Sequence, residues 1–308
     1  MLTLPFIKQG AGAKSKKFII NYSFRRFFRI YPLYSLYLLL GLITSIALWK
    51  IVGLDKPLGY PFVLSLKGFF EHLLLIQGKG VTWTILVEFR YYFVLPILAL
   101  TYSVILKNKL FPSVALTISL IILSQLIWPQ SESKADGYRL GPYLPIFFMG
   151  ALLAVIFHKW QERKMNENKK ALIIVEIIGI FAAITLIFMI PSVSTYILER
   201  EIAYTHYHKH YIQFGFLWSV VVFSCTAGIG VLRKFFEISF LRYLGFISFS
   251  VYLLHVIVLK VFKRVGLEIP MQGWIMLVVT IVISHISWTL IEKPTSKIRW
   301  TKFSGKGH

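Results

Sequence analysis

Cysteine occurs once in the 308 residues, and acidic side chains only 13 times against 34 lysines and arginines. A single cysteine excludes an intramolecular disulfide and any cysteine-cluster metal site. Charge is scarce altogether, at 15% of residues where a soluble domain carries about 25%. No internal repeat or low-complexity tract stands out, and the lead MLTLPFIKQGAGAKSKK has no room for the charged and apolar regions of a signal peptide. What is abundant is apolar: 56% of residues are hydrophobic, above the usual 45–50% or so, and the mean hydropathy is +0.68. A net charge of +21 can mark a nucleic-acid binder. Such proteins are not built from repeated apolar runs of membrane-spanning length, so a membrane protein without a nucleic-acid partner is expected.

A spanning helix needs about 20 mostly apolar residues. Eight segments qualify: 30–49, 82–106, 111–128, 142–157, 171–190, 212–231, 244–262 and 271–291. The fourth is short and the second long, as broken or tilted helices would be. Segment 61–76 is apolar but carries Lys67, Glu71 and His72, so it reads as interfacial or re-entrant. With both termini inside, 22 of the lysines and arginines fall on the cytoplasmic side, 11 opposite, and Arg90 within the second span. This two-to-one bias favours that orientation and accounts for much of the basic excess. The expectation is an all-α polytopic bundle of about eight spans with both termini cytoplasmic. It divides into a basic segment 1–29, a transmembrane domain 30–291 and a basic tail 292–308.

Charges inside a span cost at least about 2.5–3.5 kcal/mol each on insertion scales, so each needs a reason. The second span reads Trp83-Thr84-Ile85-Leu86-Val87-Glu88-Phe89-Arg90-Tyr91-Tyr92. Glu88 and Arg90, two apart, point to different sides of a helix, while Thr84, Tyr91 and Tyr92 share the face of Glu88. A carboxylate held toward a cavity orients or deprotonates a substrate group; one bonded to a neighbouring helix is structural. Ser248, Tyr252 and His255 stand at i, i+4 and i+7, one helix face that either lines a polar path or bonds helix to helix. Arg25 and Arg29 are also i, i+4 and project together with Arg26 between them, and guanidinium forks suit phosphate oxygens. The alternative for this cluster is contact with lipid headgroups. His206-x-His208-x-His210 would need an extended backbone to share a ligand, and no metal site is expected there. Glu292-Lys293-Pro294 ends the last span, where proline stops the helix.

Four motifs in this order resemble the membrane acyltransferase-3 family: Arg-Arg-x-x-Arg-Ile-Tyr-Pro-Leu-Tyr (25–34), Trp-Thr-x-x-Val-Glu-Phe (83–89), Gly-x-Ile-Ser-x-Ser-x-Tyr-Leu-x-His (245–255) and Leu-Ile-Glu-Lys-Pro (290–294). The family includes bacterial enzymes that O-acetylate surface glycans. The resemblance implies a multi-pass protein of the bacterial cell membrane that takes an acyl group, usually acetyl, from cytoplasmic acyl-CoA as a donor substrate and delivers it to a glycan hydroxyl, with no permanently bound cofactor. Carried across, Arg25, Arg26 and Arg29 fall on the donor-phosphate motif, and Glu88 and His255 on the motifs expected to act in catalysis. Trp83, Tyr91, Ser248 and Tyr252 are the expected substrate-facing residues, and membrane lipid the surrounding partner.

Family members usually begin with two further helices, the first carrying a basic residue followed about eleven positions later by a histidine treated as catalytic. Here the basic motif starts at Arg25, which leaves no sequence room for either. The resemblance therefore implies a fragment, a non-catalytic remnant, or a variant with another base, for which His72 and His255 are available. A polytopic transporter of a lipid-linked sugar or small metabolite is the rival outside the family.

Overall fold

The computed structural model describes residues 2–50, 59–133, 139–203, 210–266 and 272–298. In chain order its helices are α1 (Leu4–Gln9), α2 (Lys16–Lys50), α3 (Leu66–Leu73), α4 (Thr82–Leu100), α5 (Leu110–Ile127), α6 (Leu144–Glu162), α7 (Lys169–Phe188), α8 (Pro191–Leu198), α9 (Tyr211–Ala227), α10 (Val231–Phe236), α11 (Ser239–Val265), α12 (Gln272–Ser287) and α13 (Lys293–Thr295). Two π-helical turns, Thr101–Ile105 after α4 and Trp288–Glu292 after α12, extend those helices. No strand occurs among the described residues.

Among the described residues seven helices are long and apolar enough to cross a bilayer, and the chain is an all-α, polytopic membrane protein. Large apolar side chains point outward along them, Phe93, Phe111, Leu126 and Phe181 among the most exposed, as they must where the solvent is hydrocarbon. The sixth expected span is shorter than 212–231: α9 ends at Ala227, and Gly228 leaves the helix with an extended ψ of 173°. The segment 61–76 does not span. Its helix α3 has eight residues, exposes Leu66 and Phe70 on one side and buries His72 on the other.

The chain divides into two compact units, Met1–Ser15 with Arg90–Leu241, and Lys16–Phe89 with Arg242–His308. In the first, α7 packs on α9, α9 on α6, and α6 on α5 and α1. Gly179 is what lets α7 and α9 approach, since a Cβ there would sit 2.4 Å from the Ser224 side chain. Small residues at such contacts drive helix association in lipid, where burial of apolar area gives no net force. Ile7, Leu98, Tyr102, Phe148, Ala154 and Val155 form a core cluster.

Residues 1–29 contribute to that cluster and to α2. Phe6 and Ile7 are fully or almost fully buried, with α1 packed on α6, because six of the first seven residues are apolar and Pro5 fits the first helical turn. From Lys16 onward the basic residues already belong to the 35-residue α2. At the other end, Glu292 closes a π turn and is buried.

In the second unit α2 is the organising element. Its buried residues Tyr22, Ile30, Leu33, Tyr34, Tyr37, Leu38 and Leu42 recur at intervals of three and four, the stripe of one helix face. Hydroxyls on α2 hold the segment that follows it. Leu64 N donates to Ser45 Oγ at 2.9 Å, Tyr60 N to Thr44 Oγ1 at 2.9 Å, and Tyr31 and Tyr34 donate to the Leu73 and His72 carbonyls at 2.7 Å each. These two bonds reach carbonyls at the C-terminal end of α3, where the His72 carbonyl also accepts from Leu75 N at 3.0 Å.

Candidate functional site

The site residues expected from sequence gather mainly in the second unit. Arg26 lies along the buried face of α2, its guanidinium 5.7 Å from the Tyr22 ring centroid, a cation–π distance. Glu88, half-buried on α4, acts electrostatically on the hydroxyls of both Tyr22 and Tyr252. Tyr252 on α11 donates to the Val81 carbonyl at 2.9 Å and shares a hydrogen bond with Thr84 Oγ1 at 2.7 Å. It thus ties α11 to the start of α4, beside the half-buried Trp83.

Arg25 and Arg29, one turn apart on α2, differ in exposure. Arg25 and Arg26 are half-buried, and their Nε atoms are sealed from solvent with no hydrogen-bond acceptor among the described residues. Arg29 is exposed and lies within electrostatic range of Glu292. The reason is the helical period: 22, 26, 30 and 33 form the inward stripe, and 29 lies beside it.

Glu292 is the residue that sequence reasoning missed. It is 7% exposed, and the Ser250 hydroxyl, itself 3.2 Å from Ser287 Oγ, donates to its Oε1. The Leu-Ile-Glu-Lys-Pro motif is visible in the sequence as a helix stop and as part of the family resemblance, but neither reading gives Glu292 a place in the site. The π turn is what carries the carboxylate inward, and such turns recur at functional sites.

The remaining candidates separate. Ser248 is exposed and spends its hydroxyl on Gly245 O at 2.9 Å in its own helix. Tyr91 belongs to the other unit, where its ring stacks on Phe147 at 4.2 Å and its hydroxyl reaches the Phe147 carbonyl at 3.3 Å. His206 and His208 lie outside the described residues.

Two histidines present a basic nitrogen. His255 Nδ1 lies 3.1 Å from the Val251 carbonyl. A carbonyl only accepts, so Nδ1 carries the proton and Nε2 is the accepting nitrogen. His72 repeats the device, with Nδ1 2.7 Å from Gly68 O. It is 3% exposed, faces Phe62, and has no partner for Nε2 among the described residues. Burial pushes its pKa below the usual 6.5 and Lys79 adds to this, against the Gly68 bond and Glu71. The ring is therefore neutral at pH 7.

An all-helical polytopic chain that carries guanidinium, carboxylate, phenol and imidazole groups along its spanning helices has the parts of a membrane-embedded transferase. Residues 6–291 match the family model for the acyltransferase domain of the acyltransferase-3 type. The chain belongs to this family, and is an acyltransferase moving groups other than amino-acyl groups. No curated protein and no solved structure matches it in the same comparisons.

Proposed function

We propose that the chain transfers an acyl group, acetyl in the simplest case, from cytoplasmic acyl-CoA to a hydroxyl of a cell-envelope or exported glycan in a bacterial membrane. The observation that carries this reading is the pair of half-buried guanidinium groups, Arg25 and Arg26, whose Nε hydrogens have no acceptor among the described residues. Leaving a charged donor without a partner costs about 1–3 kcal/mol or more, and phosphate oxygens of the donor satisfy it in a geometry that guanidinium matches. The excess of basic residues on the terminal side supports a cytoplasmic mouth for the start of α2.

In this reading the acceptor hydroxyl gives its proton to a base while its oxygen bonds to the acyl carbon. The thioester C–S bond breaks, and the CoA thiolate leaves with that proton. His255, through Nε2, is the base proposed for this step, with His72 the second candidate. Glu88, acting on Tyr22 and Tyr252, orients the reacting groups.

Inverted membrane vesicles supplied with acetyl-CoA labelled in its acetyl group test the proposal. Arg25→Ala with Arg26→Ala is expected to lower label incorporation into glycan at least about 100-fold, since two charged hydrogen bonds contribute about 1.5–3 kcal/mol each, at unchanged membrane levels of protein. Equal incorporation overturns the donor site. No incorporation by the unaltered chain favours a non-catalytic family remnant or a transporter.

A further inference from the structure

A cavity of about 900 Å³ opens within the unit of Met1–Ser15 and Arg90–Leu241. Its walls come from α4, α6 and α9, the turn Met189–Pro191, and Leu2 with Thr3. This is the upper end of the range of ligand pockets, about 300–1,000 Å³.

The chemistry of the walls limits what enters. No Asp, Glu, Lys, Arg or His lines the cavity among the described residues. Three of its hydroxyls are already engaged: Tyr91 with Phe147 O, Ser219 with Gly215 O at 2.7 Å, and Tyr211 with Pro142 O. Thr3 and the Trp218 indole are the remaining polar groups on its rim. The cavity opens to the surroundings beside the exposed Trp218, Ile190 and Val222, and its walls offer few unengaged polar groups to a guest.

Gly150 is a second, independent observation. It sits inside α6, where glycine costs roughly 0.5–1 kcal/mol relative to alanine. No packing explains it, because a Cβ there would meet nothing within 4 Å. The missing side chain keeps the wall of the cavity open.

We propose that this cavity binds one flexible hydrocarbon chain of an amphiphile, held between the faces of α6 and α9. The ligand chemistry is a long alkyl or prenyl chain, shared by a phospholipid, a long-chain acyl thioester and a polyprenyl phosphate. The site does not rest on the roles given to Arg25, Glu88 or His255.

The test uses the full chain in lipid nanodiscs with a diazirine-bearing palmitic acid, and maps the cross-linked peptides. Labelling is expected to concentrate in α6 and α9, above that of the lipid-facing side of α7 around Phe181. Gly150→Trp should lower cross-linking at α6 and α9 at least tenfold, equivalent to about 1.4 kcal/mol, leave labelling around Phe181 unchanged, and not lower the unfolding temperature. Gly150→Ala should keep the labelling. Ser219→Phe, from the opposite wall, should repeat the loss should Gly150→Trp fail to fold. Competition with added phosphatidylcholine, palmitoyl-CoA or a polyprenyl phosphate then identifies the source, as the competitor that displaces the probe at the lowest concentration. Labelling of α6 and α9 no greater than that around Phe181, labelling unchanged in both filling variants, or displacement by none of the competitors overturns the proposal.

Discussion

In the unit of Lys16–Phe89 and Arg242–His308, helices turn guanidinium, carboxylate, phenol and imidazole groups inward. In the unit of Met1–Ser15 and Arg90–Leu241 they meet through Ile7, Leu98, Phe148 and Val155, and no charged side chain lines their cavity among the described residues. Even a carboxylate within this second set of helices is structural: Glu176 Oε1 on α7 accepts from Leu232 N at 2.9 Å, holding the first turn of α10. The difference teaches that family membership alone does not locate chemistry in a membrane protein. Inward charge costs insertion energy, and most of the polar groups expected to act lie in one unit, with Arg90 and Glu176 in the other.

That contrast can be broken or sharpened experimentally. The largest effect is expected from Glu88→Gln, which keeps the shape and removes the charge. If Glu88 orients or moves a proton, labelled-acyl transfer should fall by about 10²–10⁴-fold with little change in thermal stability; full activity would remove Glu88 from the site. Phe148→Ala should do the reverse. At 5% exposure in the apolar core, it should cost stability, near the lower end of about 3–5 kcal/mol, in detergent unfolding. Loss of transfer without loss of stability would erase the distinction between the units. Ser250→Ala leaves Glu292 Oε1 without its donor and should destabilise by about 1–3 kcal/mol, read by the same unfolding assay. Ser248→Ala, at an exposed self-bonded serine, is the matched control and should be near neutral.

The smallest expected effect is a pH dependence from His72. Burial holds its native pKa below 6.5, so the unfolded chain binds the extra proton first. Stability is then complete above the unfolded value and is lost as pH falls below about 6.5. Unfolding temperatures measured from pH 7.5 to 5 should show this slope, and His72→Gln should flatten it. An unchanged slope would assign it to other groups.

Much of this was legible in the primary structure for identifiable reasons. Hydropathy runs are local, so most span ends are readable to within a few residues, although α2 begins at Lys16 rather than 30 and α9 is too short to count among the seven; segment 61–76 reads as non-spanning on Lys67, Glu71 and His72. The misplacements have local causes too. Gly228 ends α9 four residues early. The apolar start Leu2–Ile7 outweighs the basic character of residues 1–29 and packs as α1. Arg25 and Arg29 were paired by spacing, but the inward stripe of α2 passes through 22, 26 and 30.

What the sequence alone determined is the solvent this chain lives in, the helices that cross it and the family to which it belongs. Each follows from run length, residue type or ordered motifs along the chain. Which polar groups face one another was decided only by tertiary structure. Thr84 meets Tyr252 across 168 residues and Ser250 meets Glu292 across 42. Helical periodicity places a residue on a face, but the packing of separate helices, set by close contacts such as Gly179 against Ser224, decides what that face touches.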